Sequence, residues 1–169
     1  MKNHAAEVPS PAGPVVVAES SLRALMAIRH EWLLENMFAE AAICASVDQA
    51  LTGLWSTSAR PGFLRVHADA SGTPLPARLA QVQGSDRASI QLAIHLRSRL
   101  LIIEGKALLE KVKLSFIKSM GVIPLLMQAY QEERIKSVKP LLIALERKGH
   151  EMPPANQMTA LLAALEDLG

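Results

Sequence analysis

The stretch PVVVAESSLRAL, residues Pro14 to Leu25, joins an apolar, strand-like run to the start of an amphipathic helix. Its consecutive β-branched residues, Val15 to Val17, are typical of a strand that is buried on both faces. The strand ends before Glu19, and apolar residues then recur at helical spacing through SSLRALMAIRHEWLLENMF, which predicts one helix. A buried strand followed directly by an amphipathic helix is the first half of a βα unit, and such units build parallel sheets.

The same strand-then-helix pattern recurs along the chain. A short apolar run from Ala41 to Cys44 precedes a helix that we expect Ser46 to cap, and FLRVH is a strand candidate within a loop-rich segment. We expect Ser85 to cap the next helix, which leads to the strand RLLII and its closing residue, Glu104. The helix KALLEKVKL and a short strand within SFIKS follow. Three further helices are predicted near GVIPLLMQAYQEERI, Ser137 to Lys148 and Pro154 to Asp167.

Alternation of strands and helices predicts an α/β fold with a central, mostly parallel sheet, flanking helices and extra C-terminal helices. The 169 residues are 50% hydrophobic and suit one domain, which we place at residues 14–169 after a flexible tail at residues 1–13. A net charge of +2 is too small to diagnose nucleic-acid binding. The single cysteine and the shortness of every apolar run predict a cytoplasmic protein without a membrane span.

Three carboxylates fall where such a sheet binds its ligands, beyond the carboxyl ends of the strands. Glu19 and Glu104 each close a strand, and Asp86 opens the helix that precedes the second of these strands. Clustered carboxylates repel one another unless a cation or a proton relieves them, so their convergence would indicate a site for a hard ion such as Mg²⁺. The alternative is capping, because each acid lies near a predicted helix N-terminus. Periodicity alone favours capping.

Other polar residues offer no competing site. The histidines lack partners at metal-ligand spacing, and no glycine pattern forms a phosphate loop. Near the acids in sequence lie cations that either meet phosphates or are simply solvated: Arg87, Lys106, Lys111, Lys113 and Lys118. In the last helix an apolar stripe is interpreted as packing within the chain, with a partner contact as the alternative: Met158, Leu161, Leu162 and Leu165.

The order of these segments resembles the PIN-domain family, in its branch of predicted nucleic-acid-binding proteins akin to toxin ribonucleases. There a strand ends in Asp-Thr-Ser before a helix, and VVVAESSLRAL places Glu19, Ser20 and Ser21 at those positions. The segment SDRASIQLAIHL resembles the family's Gly-Glu-x-x-Ala-Ile-x-Leu-Ala motif, with Asp86 at the metal-binding acid. LLIIEGKALLEKV resembles its Leu-Leu-x-Asp-Asp motif, with Glu104 at the first Asp. LLMQAYQEERIKSVKPLLIALERKGHEM resembles its C-terminal run.

The resemblance implies an endoribonuclease that uses Mg²⁺ or Mn²⁺ to cleave single-stranded or unstructured RNA. It also implies a homodimer and pairing with a small antitoxin-like protein. The metal ligands that it implies are Glu19, Asp86 and Glu104, with Ser20 beside the metal as a further catalytic residue.

The acidic site departs from the family pattern. The family's acid on the second helix falls on Ala50, and Gly105 replaces its second Asp. The three remaining acids are exchanged in side-chain length, which matters because Mg²⁺ demands near-ideal geometry. We therefore expect weakened or lost catalysis. The alternative is a catalytically inactive interaction module that binds RNA, an antitoxin-like protein or itself.

Overall fold

The computed structural model describes residues 13–55 and 59–166, which form one parallel β-sheet surrounded by helices. The spatial order of the strands in the described chain is β3-β2-β1-β4-β5, and every neighbouring pair is parallel. The predicted α/β fold is therefore confirmed. The strands are β1 (Gly13–Val17), β2 (Ala41–Cys44), β3 (Leu64–His67), β4 (Ser98–Ile102) and β5 (Ser119–Met120).

Helices connect the strands, because parallel neighbours need a crossover that returns the chain to the same edge of the sheet. Within the described ranges there are eight α-helices, and two short 3₁₀ turns at Thr52–Leu54 and Ala77–Leu79 supplement them. The helices are α1 (Glu19–Ala27), α2 (Trp32–Phe38), α3 (Ala45–Leu51), α4 (Gly84–His95), α5 (Lys106–Leu114), α6 (Val122–Gln131), α7 (Lys139–Arg147) and α8 (Ala155–Glu166).

The central strand β1 confirms the interpretation of its valines. Val15, Val16 and Val17 are fully buried, since β1 lies between β2 and β4 and is covered by helices. Gly13 opens this strand because the backbone carbonyl of Arg97 lies where its Cβ would be. The predicted tail is therefore one residue too long, and its first twelve residues lie outside the described part of the chain.

The first predicted helix is in fact two helices, and that prediction is wrong. The break lies between α1 and α2, where Arg29 adopts a left-handed backbone with φ of 56°. The apolar pattern continues across the break because both helices bury residues in the same core, for example Leu25 and Leu33. Periodicity measures burial, and here it did not reveal a change of helix direction.

Two predicted helix caps are also wrong. Helix α3 begins at Ala45, and Ser46 donates its backbone N–H to the carboxylate of Asp69 at 3.1 Å, so a residue distant in sequence supplies the cap. Helix α4 begins at Gly84, which places Ser85 inside its first turn. Neither serine caps its helix through its side chain.

The end of the chain packs as the sequence indicated. The stripe of α8 lies against the core of the same chain, with Leu165 buried and Met158, Leu161 and Leu162 partly buried. The short strand β5 begins at Ser119, the last residue of the predicted segment SFIKS, and ends one residue beyond that segment. No helix among the described residues is both long and apolar enough to cross a bilayer.

Candidate active site

The carboxyl edge of the sheet brings together segments that are far apart in sequence. The register pairs Val17 with Ile102, and the N–H of Ala18 donates to the carbonyl of Ile102 at 2.9 Å. Glu19 therefore begins α1 at the same edge where Glu104 follows β4. This is the edge at which parallel sheets bind ligands.

Both carboxylate oxygens of Glu104 are engaged by the protein. Oε1 accepts hydrogen bonds from the hydroxyl of Ser21 at 3.0 Å and from the backbone N–H of Val122 at 2.7 Å, at the start of α6. Oε2 lies 3.3 Å from Nε2 of His150. Gly121 leaves room for this arrangement, since a Cβ there would lie only 3.2 Å from Oε2. The carboxylate is thus a structural link between three segments.

His150 supplies a counter-charge for that carboxylate. It follows α7, just after Gly149, whose φ of 81° turns the chain back toward the sheet. Its side chain is 13% exposed, and its hydrogen bond to Glu104 raises the pKa of the imidazole, against the opposing effect of burial. The raised pKa favours an imidazolium, so the contact is an ion pair over a wider pH range.

The negative charges of Glu19 and Asp86 interact, and the two residues share no hydrogen-bond donor among the described residues. Glu19 accepts a hydrogen bond from Arg23 at 2.8 Å, one helical turn away on α1. Burial raises the pKa of Asp86, and the negative charge of Glu19 raises it further. Arg23 also donates to the carbonyl of Ala50 at 3.3 Å. A guanidinium therefore lies beside the position at which the resembling family carries an acid.

Two adjoining cavities share Glu104 in their linings. One, of about 730 Å³, is lined by Asp86 and Glu104 together with Glu110, Glu151 and Lys106. The other, of about 1120 Å³, has Ser20, Glu104 and His150 in its lining and extends between α5, α6 and α8. Its apolar wall consists of Leu109, Ile123, Met127, Met152 and Leu161.

Metal binding is not supported by this arrangement. In residues 13–55 and 59–166, no set of three or more His, Cys, Asp or Glu side chains is placed to hold a metal ion. Asp86 and Glu104 line one cavity, and Glu19 affects Asp86 electrostatically, but Glu104 is bonded to Ser21 and His150 instead. The donor set therefore does not fit Mg²⁺ or Mn²⁺ as it stands.

Sequence reasoning missed the partners of the acids. Ser20 lies in the cavity lining and is exposed, whereas the hydroxyl that contacts Glu104 belongs to Ser21, which is fully buried. The spacing of Glu19 and Arg23 is a readable signal for a helical ion pair. Nothing in the local sequence around His150 indicates its contact, because the contact depends on how α7 docks.

The predicted cations divide into separate groups. Lys106 lines both cavities and Lys113 lines the larger one. Arg87 donates to the carbonyls of Ala80 and Val82, so it supports the loop before α4. Lys118 precedes β5 and therefore lies at the opposite, amino-terminal edge of the sheet. Lys118 is near the acids in sequence but not in space, because β5 begins at the edge of the sheet opposite to theirs.

Fold and site together define an α/β domain with acidic residues gathered at the carboxyl edge of a parallel sheet. The model of the DUF3368 family, a PIN domain, matches residues 14–164. The chain therefore belongs to the PIN-domain family, which has a nuclease-type fold and is in general dependent on divalent metal ions. Comparison with curated proteins and with solved structures gives no match.

Proposed function

We propose that this protein is a PIN-type nucleic-acid-binding protein whose metal-dependent endoribonuclease activity is weakened or lost. The observation that carries the proposal is the state of Glu104. Its two oxygens are occupied by Ser21, the Val122 N–H and His150, so a metal ion would have to displace donors of the protein itself. Membership of the PIN family supports nucleic acid as the ligand.

The charge that a metal would neutralise is already balanced at two of the three acids. Glu104 pairs with His150, and Glu19 pairs with Arg23. Asp86 has no ion-pair partner among the described residues, and burial together with the charge of Glu19 raises its pKa, which disfavours its charged form. Carboxylates bind Mg²⁺ or Mn²⁺ because several negative oxygens converge on one point. Because Glu104 and Glu19 are held by separate cations, the three acids offer no such point, and we derive no step through a metal ion.

The proposed ligand is single-stranded or unstructured RNA. Lys106 and Lys113 line the larger cavity and supply positive charge for phosphates. The cavity also presents side-chain amides, from Gln128, Gln131 and Gln157, that suit the edges of bases. An open, mixed polar and apolar cleft of this kind accommodates an unpaired strand better than a duplex.

A second candidate is an interaction module for a small antitoxin-like protein or a second copy of the chain. The apolar wall of the larger cavity favours it, since an amphipathic helix binds to such grooves. Size-exclusion chromatography with light scattering tests the homodimer directly. A monomer that binds RNA would support the first candidate over this one.

An RNA cleavage assay tests the proposed loss of activity. Unstructured RNA is incubated with the protein and Mn²⁺, with and without chelator, beside a Glu19→Gln, Asp86→Asn double variant as the matched control. We expect the protein to bind the RNA, and we expect its cleavage either to equal that of the double variant or to be far slower than an ordinary enzymatic turnover of about 1 s⁻¹ or more. Cleavage at such a turnover that chelator and the double substitution both abolish would contradict the proposal.

A further inference from the structure

The amino-terminal edge of the sheet carries a separate cavity of about 630 Å³, which we call the basic cavity. It is lined by the segments that lead into β4 and β5, namely residues 97–99 and 115–118, and by the loop at residues 74–76. Strand β4 separates it from Glu104. Five residues of strand span roughly 17 Å, so the basic cavity and the acids are distinct sites.

Among the described residues, no acidic side chain balances the positive charge in the basic cavity. Arg97, Arg99 and Lys118 line it, and no carboxylate is among its lining residues. None of these cations has an ion-pair partner in the described part of the chain. Arg99 donates to the carbonyl of Phe38 at 3.3 Å, and its guanidinium lies 6.0 Å from the centre of the Phe38 ring. The site therefore has the charge that suits an anion.

Phe116 lies in the lining of the basic cavity with an exposed ring and a left-handed backbone. Its side chain is 99% exposed and its φ is 63°. Its N–H donates to the carbonyl of Lys113, and the N–H of Ile117 donates to Val112, which is the helix-ending motif that usually carries glycine at this position. A bulky aromatic residue is disfavoured there both by its backbone and by its exposure.

A second residue with a left-handed backbone lies in the same cavity. Arg97 has φ of 50° and follows α4, as Phe116 follows α5, so each ends a helix shortly before a strand begins. These two helix ends place a guanidinium and an aromatic ring on neighbouring turns of the cavity lining.

We propose that the basic cavity binds single-stranded nucleic acid. Phe116 stacks on one base, while Arg97, Arg99 and Lys118 contact the phosphates on either side. The apolar walls formed by Leu75, Ile94 and Ile117 receive the sugar or the neighbouring base.

The choice of ligand class rests on the proposed function, but the site uses none of the acids. An exposed ring beside several cations that have no ion-pair partner among the described residues is a combination that binds a phosphate backbone without reading its sequence. The basic cavity would then hold one part of the nucleic acid at the amino-terminal edge of the sheet, while another part of the same nucleic acid reaches the acidic edge.

Fluorescence anisotropy with a labelled oligouridylate of about 12 nucleotides tests this inference. We expect Phe116→Ala to raise the Kd on the order of 10-fold, the effect of losing one stacked base. Phe116→Trp is expected to restore affinity, with its added tryptophan emission quenched by the oligonucleotide. Lys118→Ala is expected to reduce the slope of log affinity against log salt by about 0.7, the effect of one lost phosphate contact on a single strand.

Two control variants carry comparable substitutions at residues that do not line the basic cavity. Leu114→Ala removes an exposed apolar side chain that precedes Phe116 but has no aromatic ring, and Lys139→Ala removes an exposed charge from α7. Both are expected to bind like the wild-type protein. Equal loss of affinity in Leu114→Ala and Phe116→Ala would contradict stacking.

The outcomes separate this inference from the proposed function. If the wild-type protein binds oligouridylate and the Phe116 and Lys118 variants bind equally well, the proposed role of the basic cavity is overturned. Nucleic-acid binding elsewhere on the protein then stands. If the wild-type protein does not bind, both proposals fail. Self-association that Phe116→Ala abolishes, or binding of an oligoglutamate peptide in place of RNA, would reassign the surface to a protein partner and overturn the inference.

Discussion

Glu104 holds three segments of the chain at one point. It accepts hydrogen bonds from Ser21 on α1 and from the first N–H of α6, and it pairs with His150 beyond α7. A carboxylate at the end of a strand was predicted to be either a cap or a metal ligand. At Glu104 it acts as a cap for α6 and as a tertiary link, which satisfies the carboxylate within the protein.

Removal of that carboxylate should destabilise the fold. Glu104→Ala leaves the buried N–H of Val122 and the imidazole of His150 without their partner, and we expect a loss of about 1–3 kcal/mol in the free energy of unfolding. Urea denaturation measures it. Glu110→Ala, an exposed acid in the same cavity, is the control and should change stability by less than about 0.5 kcal/mol. Equal effects of the two variants would contradict the linking role.

Removal of the Asp86 carboxylate should stabilise the fold, whereas removal of the Glu104 carboxylate should destabilise it. Burial and the charge of Glu19 raise its pKa above the ordinary value of 3.8, so the folded state disfavours the charged form. The resulting stability is present below about pH 3.8 and is lost as pH rises through the raised pKa of the folded state. We expect Asp86→Asn to be more stable than the wild-type protein at neutral pH, with the gain disappearing in acid. Denaturation at both pH values measures it.

Asp48→Asn is the control for that substitution. Asp48 accepts two hydrogen bonds from Arg60, each 2.9 Å long, so its removal should give no gain in stability. A destabilised Asp86→Asn variant at neutral pH would show that the carboxylate has a stabilising partner, and would contradict its unbalanced state.

At the scale of elements, the sequence predicted most strands and helices because their apolar pattern is local. Helix α5 has the predicted bounds, and β3 falls within FLRVH. The errors arose where distant residues decide the outcome. Asp69 caps the helix assigned to Ser46, and the turn at Arg29 divides one apolar stripe between two helices.

The same distinction holds for the site. The order of the predicted strands and helices placed Glu19, Asp86 and Glu104 near one edge of the sheet, because the sequence indicates where each parallel strand ends. The partners Ser21 and His150 could not be assigned, since their hydrogen bonds depend on side-chain direction and on the docking of α7.

The segment between α7 and α8 should respond to pH through His150. Its pKa is raised by the hydrogen bond to Glu104, so the stability from this pair is present below the ordinary value of 6.5 and is lost as pH rises through the raised folded-state pKa. We expect His150→Ala to be less stable than the wild-type protein in mild acid, with the difference shrinking at alkaline pH. Thermal unfolding across this range measures it. A difference that does not vary with pH would contradict the ion pair.

The start of β1 tolerates no side chain beyond hydrogen. A Cβ on Gly13 would collide with the backbone carbonyl of Arg97, which cannot rotate away as a side chain could. We expect Gly13→Ala to cost about 1–3 kcal/mol in unfolding free energy. Gly62→Ala is the control, because nothing lies within 4 Å of its added Cβ. Equal stability of the two variants would contradict the close approach.

Across the whole molecule, the net charge of +2 does not show that the two edges of the sheet carry charges of opposite sign. The carboxyl edge gathers Asp86, Glu104, Glu110 and Glu151 around one cavity, whereas the amino-terminal edge gathers cations around another. Composition sums these charges and so could not reveal their separation. The parallel sheet produces it, because every strand places its two ends on opposite sides of the molecule.

Calorimetric titration of the wild-type protein with Mn²⁺ tests whether protein donors occupy the place of a metal ion at the acidic edge. The Glu19→Gln, Asp86→Asn double variant is titrated beside it. We expect no heat of binding in the wild-type protein beyond that of the double variant. A saturable heat in the wild-type protein that the double variant lacks would contradict it.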